Sequence, residues 1–351
     1  MTRRKISWRY MRYLGLDPEK FLVWYQLDEK FRELYGCLIA DIDWKQFNWK
    51  KALSYASYNS VSYEFCKKIL EEDVVIDKDD LLIIRSVIKN VESKLQKLKN
   101  TLHMIKELLN GKVNFYIIKT RGDVPTADVD VLLENKRDYE LAFNLALNRG
   151  YKCVREEPFK GWIGIKNCIK IELHVGISWF GMRVFDNEFI FKNPRKVKIM
   201  HLEFSTLGEE AEFGLALAHW ILDIHPLLLS GLGGYVSRIE RVHRWDEIMH
   251  QAEKYGWAKQ LIYHLSILQK LCEYIYFYQL PLPIEPLNVR VKPNFPFWPP
   301  LWSKIPFLIR KIIQDNSKAT KALEMIQLLL RRYAWTRLCF YKKGIVAKWL
   351  S

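Results

Sequence analysis

The chain predicts an α+β protein, a small β-sheet core flanked by helical regions on both sides. Two observations carry this. Apolar residues recur at three- and four-residue steps up to about residue 110 and again from about residue 205, the spacing of helices. Between them the period falls to two, the spacing of strands, over Val113–Lys119, Ala127–Leu133 and the hairpin Gly161–Val175. The resulting organisation is a helical N-terminal region over 1–110, a β-containing core over 111–204 and a helical domain over 205–279. A proline- and aromatic-rich connector over 280–306 and basic C-terminal helices over 307–351 follow.

The first region has one proline, Pro18, and a long amphipathic period. Asp77 to Asp80 supplies N-cap candidates for a helix on which Leu81, Ile84, Val87, Ile88, Val91, Leu95 and Leu98 form one stripe. The core opens with Val113–Lys119 as a buried strand, then a loop over Thr120–Thr126. Ala127–Leu133 is the next strand. Because strand side chains alternate, Asp128 and Asp130 share one face while Val129 and Val131 take the core face. A helix follows over Lys136–Arg149, its stripe made by Tyr139, Ala142, Phe143 and Ala146, with Gly150 as its C-cap. A hairpin then pairs Gly161–Ile165 with Cys168–Val175 around Lys166-Asn167. On its second strand Ile169, Ile171, Leu173 and Val175 face inward, leaving Lys170, Glu172 and His174 on the other side.

With 351 residues and 49% hydrophobic composition, the chain has material for a real core, which excludes a disordered protein. Its formal net charge of +15 favours phosphate-bearing partners, either nucleic acid or an anionic membrane surface. The excess is uneven, since residues 301–351 hold 11 Lys or Arg against Asp315 and Glu324. The six cysteines are scattered, without Cys-x-x-Cys or zinc-ligand spacing, and read as reduced thiols. The basic N-terminus lacks a signal-peptide apolar run, and the most hydrophobic window, Leu215–Gly234, is interrupted by His219, Asp223, His225 and Pro226. A cytoplasmic setting is expected.

Two carboxylates one residue apart on a strand are hard oxygen ligands that suit Mg²⁺ or Mn²⁺. The alternative for an isolated Asp-x-Asp is a solvated strand face. The order of elements, strand, loop, Asp-x-Asp strand, helix, hairpin and a lone acidic residue on a strand, resembles the nucleotidyltransferase fold of the DNA polymerase β superfamily. It is similar in particular to the uncharacterised, minimal-type nucleotidyltransferases of bacteria and archaea. The matching residues are Ile117-Ile118-Lys119-Thr120, Ala127 to Leu133, and Ile171-Glu172-Leu173-His174-Val175, with a looser match in the helical region beginning near Glu209.

That resemblance implies a mixed-sheet core and a metal-dependent transfer of an NMP from an NTP to a hydroxyl; the basic composition makes an RNA or tRNA end one acceptor class, with protein and small molecules left open. It implies Asp128, Asp130 and Glu172 as catalytic metal ligands, Glu172 also serving as a proton acceptor. Such a site clamps attacking and leaving oxygens between ions about 4 Å apart. Superfamily members carry Gly-Ser where this chain reads Lys119-Thr120-Arg121-Gly122. In its place Thr120 offers a hydroxyl, Gly122 close backbone approach, and Lys119 and Arg121 positive charge for the triphosphate. The altered loop leaves a second expectation open, a catalytically degenerate protein of this fold that binds nucleic acid or peripherally contacts a membrane.

Other polar residues carry two readings each. His174 either touches substrate or a metal-bound water, or hydrogen-bonds locally. The Arg238, Arg241, Arg244 row faces a cleft or solvent, while His219 and His225 fit core positions. In the C-terminal block, Lys and Arg interleave with Tyr333, Trp335, Phe340, Tyr341 and Trp349, which suits single-stranded nucleic acid, a membrane surface, or a solvated helix.

Overall fold

The computed structural model describes residues 4–6, 37–39, 53, 56, 62–71, 76–119, 128–157, 160–179, 182–222, 227, 229–239, 241–276, 279–289 and 291. Two compact units emerge, one formed by residues 1–88, 220–240 and 259–351, the other by 89–219 and 241–258. Short strands β1 (Arg4–Ile6) and β2 (Cys37–Ile39) and helix α1 (Ser62–Glu71) fall in the first. Helix α2 (Lys78–Leu109) is the single long helix that the apolar stripe predicts. Asp77 caps it, its Oδ1 accepting from the Asp80 N–H at 2.7 Å and so satisfying one of the free donors of the first turn.

The second unit is built on a five-stranded mixed sheet, so the protein is α+β. Its strands are β3 (Phe115–Ile118), β4 (Asp128–Leu133), β5 (Lys152–Glu157), β6 (Lys160–Gly164) and β7 (Lys170–Val175). They lie in the order β3-β4-β7-β6-β5. The central pair β4 and β7 is parallel, and every other neighbouring pair is antiparallel. Between β4 and β5 runs α3 (Lys136–Asn148), which buries Tyr139, Ala142, Phe143 and Ala146, the four residues of its predicted stripe. Its end is a Schellman turn: Gly150 sits at φ +74°, its N–H donates to Leu147 O, and the Tyr151 N–H donates to Ala146 O. The predicted turn at Lys166-Asn167 is also present, with Asn167 at φ 61° and the Cys168 N–H donating to Ile165 O.

One face of this sheet is the core. Ile117, Val129, Val131, Leu133, Ile163, Ile171 and Leu173 pack against Leu102, Ile105 and Leu108 of α2 and the buried stripe of α3. Gly161 permits this approach, because a Cβ there would lie 2.7 Å from Tyr139 Oη. Two threonine hydroxyls pin the strands. Thr101 Oγ1 accepts from the Ile169 N–H at 2.8 Å, just before β7, and Thr206 Oγ1 donates to Ile117 O at 2.8 Å on β3.

The sequence reading did not resolve β5 or the strands that follow the hairpin. These are the short ribbon β8 (Ser178–Trp179) with β9 (Met182–Arg183), and β10 (Arg195–Ile199) with β11 (Leu202–Thr206). Lys152–Glu157 is polar at most positions and lies at the sheet edge, where the period-two signal is weak. Beyond the short helix α4 (Asn187–Ile190) come α5 (Glu209–Leu222), α6 (Leu229–Ile239), α7 (Trp245–Lys254) and α8 (Ala258–Tyr276). In the first unit the start of the proline-rich segment is held along α8. The Leu280 N–H donates to Gln269 Oε1 and the Leu287 N–H to Ser266 Oγ, both at 2.9 Å. Most of the connector and all of the basic C-terminal block lie outside the described residues. Among the described residues no helix is long and apolar enough to cross a membrane, and Cys66, Cys153, Cys168 and Cys272 are free thiols.

Candidate active site

The polar face of the sheet follows from strand register. On the parallel pair, Asp128 is matched with Lys170, Asp130 with Glu172 and Leu132 with His174. The antiparallel neighbour places Trp162 opposite Glu172 and Lys160 opposite His174. Since alternate residues share a face, Asp128, Asp130, Glu172, His174, Lys160, Trp162 and Lys170 all project to the side away from the core. Asp130 and Glu172, 42 residues apart in sequence, thus become direct cross-strand neighbours.

Asp130 is the most enclosed of the acids, its side chain about 10% exposed. His174 Nε2 lies 2.8 Å from its Oδ1, reaching diagonally across the strand pair, and Lys119 Nζ lies 3.4 Å from its Oδ2. Burial pushes the Asp130 carboxyl up, but the His174 hydrogen bond and the Lys119 charge outweigh it and hold the group far below its ordinary range. Lys119 reaches this position from a left-handed backbone, φ 57°, immediately after β3.

Glu172 is gripped by two lysines. Lys170 donates to Oε1, and Lys160 Nζ stands 3.7 Å from Oε2. Burial raises its pKa, yet the Lys170 hydrogen bond and the charges of Lys160 and Lys170 bring it below the usual carboxylate value. Asp128 differs in sign. Its burial and the neighbouring negative charges of Asp130 and Glu172 raise its pKa more than Lys170 and Lys119 lower it.

The donor set suits a divalent ion, and His174 joins two of the three carboxylates expected, Asp130 and Glu172. Ligand atoms of Asp130, Glu172 and His174 all lie within 4.8 Å of one another. Asp128 stands one register step away on the same face, level with Lys170. His174, which carried two readings in the sequence, therefore belongs to the cluster through its contact with Asp130. An imidazole beside two carboxylates makes a mixed nitrogen and oxygen set, one that suits Mn²⁺ and other first-row ions as well as Mg²⁺.

Lys119, expected at a triphosphate, pairs with Asp130 at 3.4 Å. Thr120, Arg121 and Gly122 lie outside the described residues, as does His225. Arg244 is engaged with Glu247 at 2.7 Å and Glu210 at 3.8 Å. Lys160, Lys170 and Trp162 were not singled out as site residues by sequence reasoning. Their signal was the two-residue alternation Lys160-x-Trp162 and Lys170-x-Glu172-x-His174, but only strand pairing sets the two rows side by side.

Among known proteins, no family model and no curated protein matches the chain. A solved crystal structure, that of an antigenic nucleotidyltransferase-like protein from Paracoccidioides brasiliensis, is matched over 54% of this chain and 95% of its own at 10% identity and a TM-score of 0.35. The functional assignment accordingly rests on the residues of the polar face.

Proposed function

We propose that the protein is a metal-dependent nucleotidyltransferase that moves an NMP from an NTP onto a hydroxyl acceptor, with RNA or tRNA ends the acceptor class favoured by the basic composition. The observation that carries this is the parallel pairing of Asp130 with Glu172, with Asp128 two residues before Asp130 on the same face. Asp130, Glu172 and His174, joined by Asp128, would hold Mg²⁺ or Mn²⁺. A bound divalent ion supplies charge neutralisation for phosphate oxygens and a lowered pKa for a coordinated hydroxyl.

The chain's own residues account for the rest. Lys160 and Lys170 bring two ammonium groups to the edge of the acidic cluster, where they complement the charge of a polyphosphate. The acceptor oxygen bonds to the α-phosphorus, the bond to the bridging oxygen breaks, and pyrophosphate leaves with that electron pair. Glu172 is the group assigned to receive the hydroxyl proton; its lowered pKa makes it a weak base, so the transfer would depend on a bound ion lowering the pKa of the hydroxyl.

A second reading is favoured by one specific feature. Lys119, Lys160 and Lys170 already neutralise the carboxylates, as they would in a protein of this architecture that no longer turns over and instead binds nucleic acid or an anionic membrane surface. Incubation with radiolabelled NTP and Mg²⁺ or Mn²⁺, offering total RNA, proteins and small molecules as acceptors, separates the two. Enzymatic transfer is expected to disappear in the Asp128→Ala, Asp130→Ala double variant. Label transfer that survives in that variant would sink the proposal, whereas salt-sensitive RNA binding without transfer would favour the second reading.

A further inference from the structure

Trp162 lies beside the acidic cluster in an unusual berth. It is half-buried, and it faces Glu172 across the β6–β7 pairing. Two residues further along the same strand is Gly164, where a Cβ would come within 2.9 Å of Trp162 Cζ3 and 3.5 Å of Cε3. The six-membered ring therefore lies down along β6 over bare backbone, in space that any other residue at 164 would occupy. Lys152, paired with Gly164 across β5, places its Nζ 5.4 Å from the indole centroid. Lys152 is itself exposed, so this cation is free to give way to, or pair with, an arriving ligand.

The rows of the sheet set the spacing. Continuing the β6–β7 register by one residue brings Gly164 level with Lys170, and Lys170 is matched in turn with Asp128 on β4. Two strand spacings, about 10 Å, thus separate the level of the indole from the acidic strand. A planar base, a sugar and the first phosphates can bridge that span, with Lys170 lying between.

We infer that Trp162, laid flat on Gly164, is the stacking platform for the base of a nucleoside triphosphate whose phosphates reach past Lys170 to the acidic strand. The inference rests on the nucleotidyltransferase reading and adds to it the place of the base. Stacking on an indole selects for a planar heterocycle with little regard to its hydrogen-bonding edge, so purine and pyrimidine nucleotides both fit the platform.

The test is calorimetric titration of the full chain with ATP and, separately, with inorganic tripolyphosphate, both with Mn²⁺. Trp162→Leu is expected to weaken ATP on the order of tenfold and to leave tripolyphosphate within about twofold, while Trp162→Phe keeps most of the ATP affinity. Gly164→Ala, which leaves the tryptophan in place and lifts its ring from the berth, should weaken ATP selectively too, and it decides the matter if Trp162→Leu fails to fold. Equal loss of both ligands in Trp162→Leu, or unchanged ATP affinity, overturns the platform while leaving the nucleotidyltransferase reading standing. If the wild-type chain binds neither ligand, that reading fails and the platform falls with it.

Discussion

Replacing Lys170 by Gln tests whether the lysines around the acidic cluster act as counter-ions that a metal must compete with. Lys170 donates to Glu172 and is level with Asp128, so it compensates two acids at once. Its side chain is 39% exposed while that of Glu172 is 14% exposed, which places the pair between a surface ion pair and a buried one. Solvent screening at the lysine limits the contribution to about 1 kcal/mol. Without a metal, Lys170→Gln should therefore cost about 1 kcal/mol of stability. With a metal the same quantity changes sign, because the ion no longer shares Glu172 with an ammonium. Since 1.4 kcal/mol is a factor of ten, Mn²⁺ should bind about fivefold more tightly to the variant. Calorimetric titration with Mn²⁺ gives the affinity, and thermal unfolding with and without the ion gives both halves of the cycle. Lys166→Gln, on the exposed hairpin turn, is the control and should change neither. Unchanged or weaker Mn²⁺ binding in Lys170→Gln would refute the competition.

Three further outcomes follow from the same unit. Thr101→Val removes the acceptor of the buried Ile169 N–H, 2.8 Å away, and should cost about 1–3 kcal/mol in chemical denaturation, with the loss concentrated in hydrogen-exchange protection at the start of β7. Gly161→Ala pushes a methyl to within 2.7 Å of Val154 O and Tyr139 Oη, and the strained contact with α3 should cost about 1–3 kcal/mol by the same measurement. Asp186 accepts from Lys254 Nζ and Tyr255 Oη, both at 2.7 Å, and these bonds bring its pKa down to about 2. A depressed folded pKa means stabilisation that is complete above the ordinary value near 4 and is lost as pH falls toward 2, so melting curves taken from pH 5 to 2 should fall more steeply for wild type than for Asp186→Asn. Equal slopes would count against that assignment.

How much of the site could be read beforehand depends on the range of the interaction that decides each part. Asp128 and Asp130 on one strand face, and Lys170, Glu172 and His174 on another, follow from the period of two alone. Equally local are α3, whose four buried residues repeat at helical spacing, and its end, where Gly150 meets a left-handed backbone requirement that other residues resist. These are local rules, acting over a few residues of chain.

What the chain could not disclose is which strand lies beside which. Pairing β4 with β7 in parallel aligns Asp130 with Glu172 and sets Asp128 against Lys170, and a shift of one residue would have turned either row into the core. That register goes with the apolar faces packing on α2 and α3 and with the Thr101 hydroxyl that holds the start of β7, all contacts between residues distant in sequence. The three-carboxylate expectation thus acquired a histidine and a ring of lysines only on folding. Side-chain identity and alternation are written locally, whereas the neighbours that decide a metal's ligands and a carboxylate's charge are chosen by long-range packing.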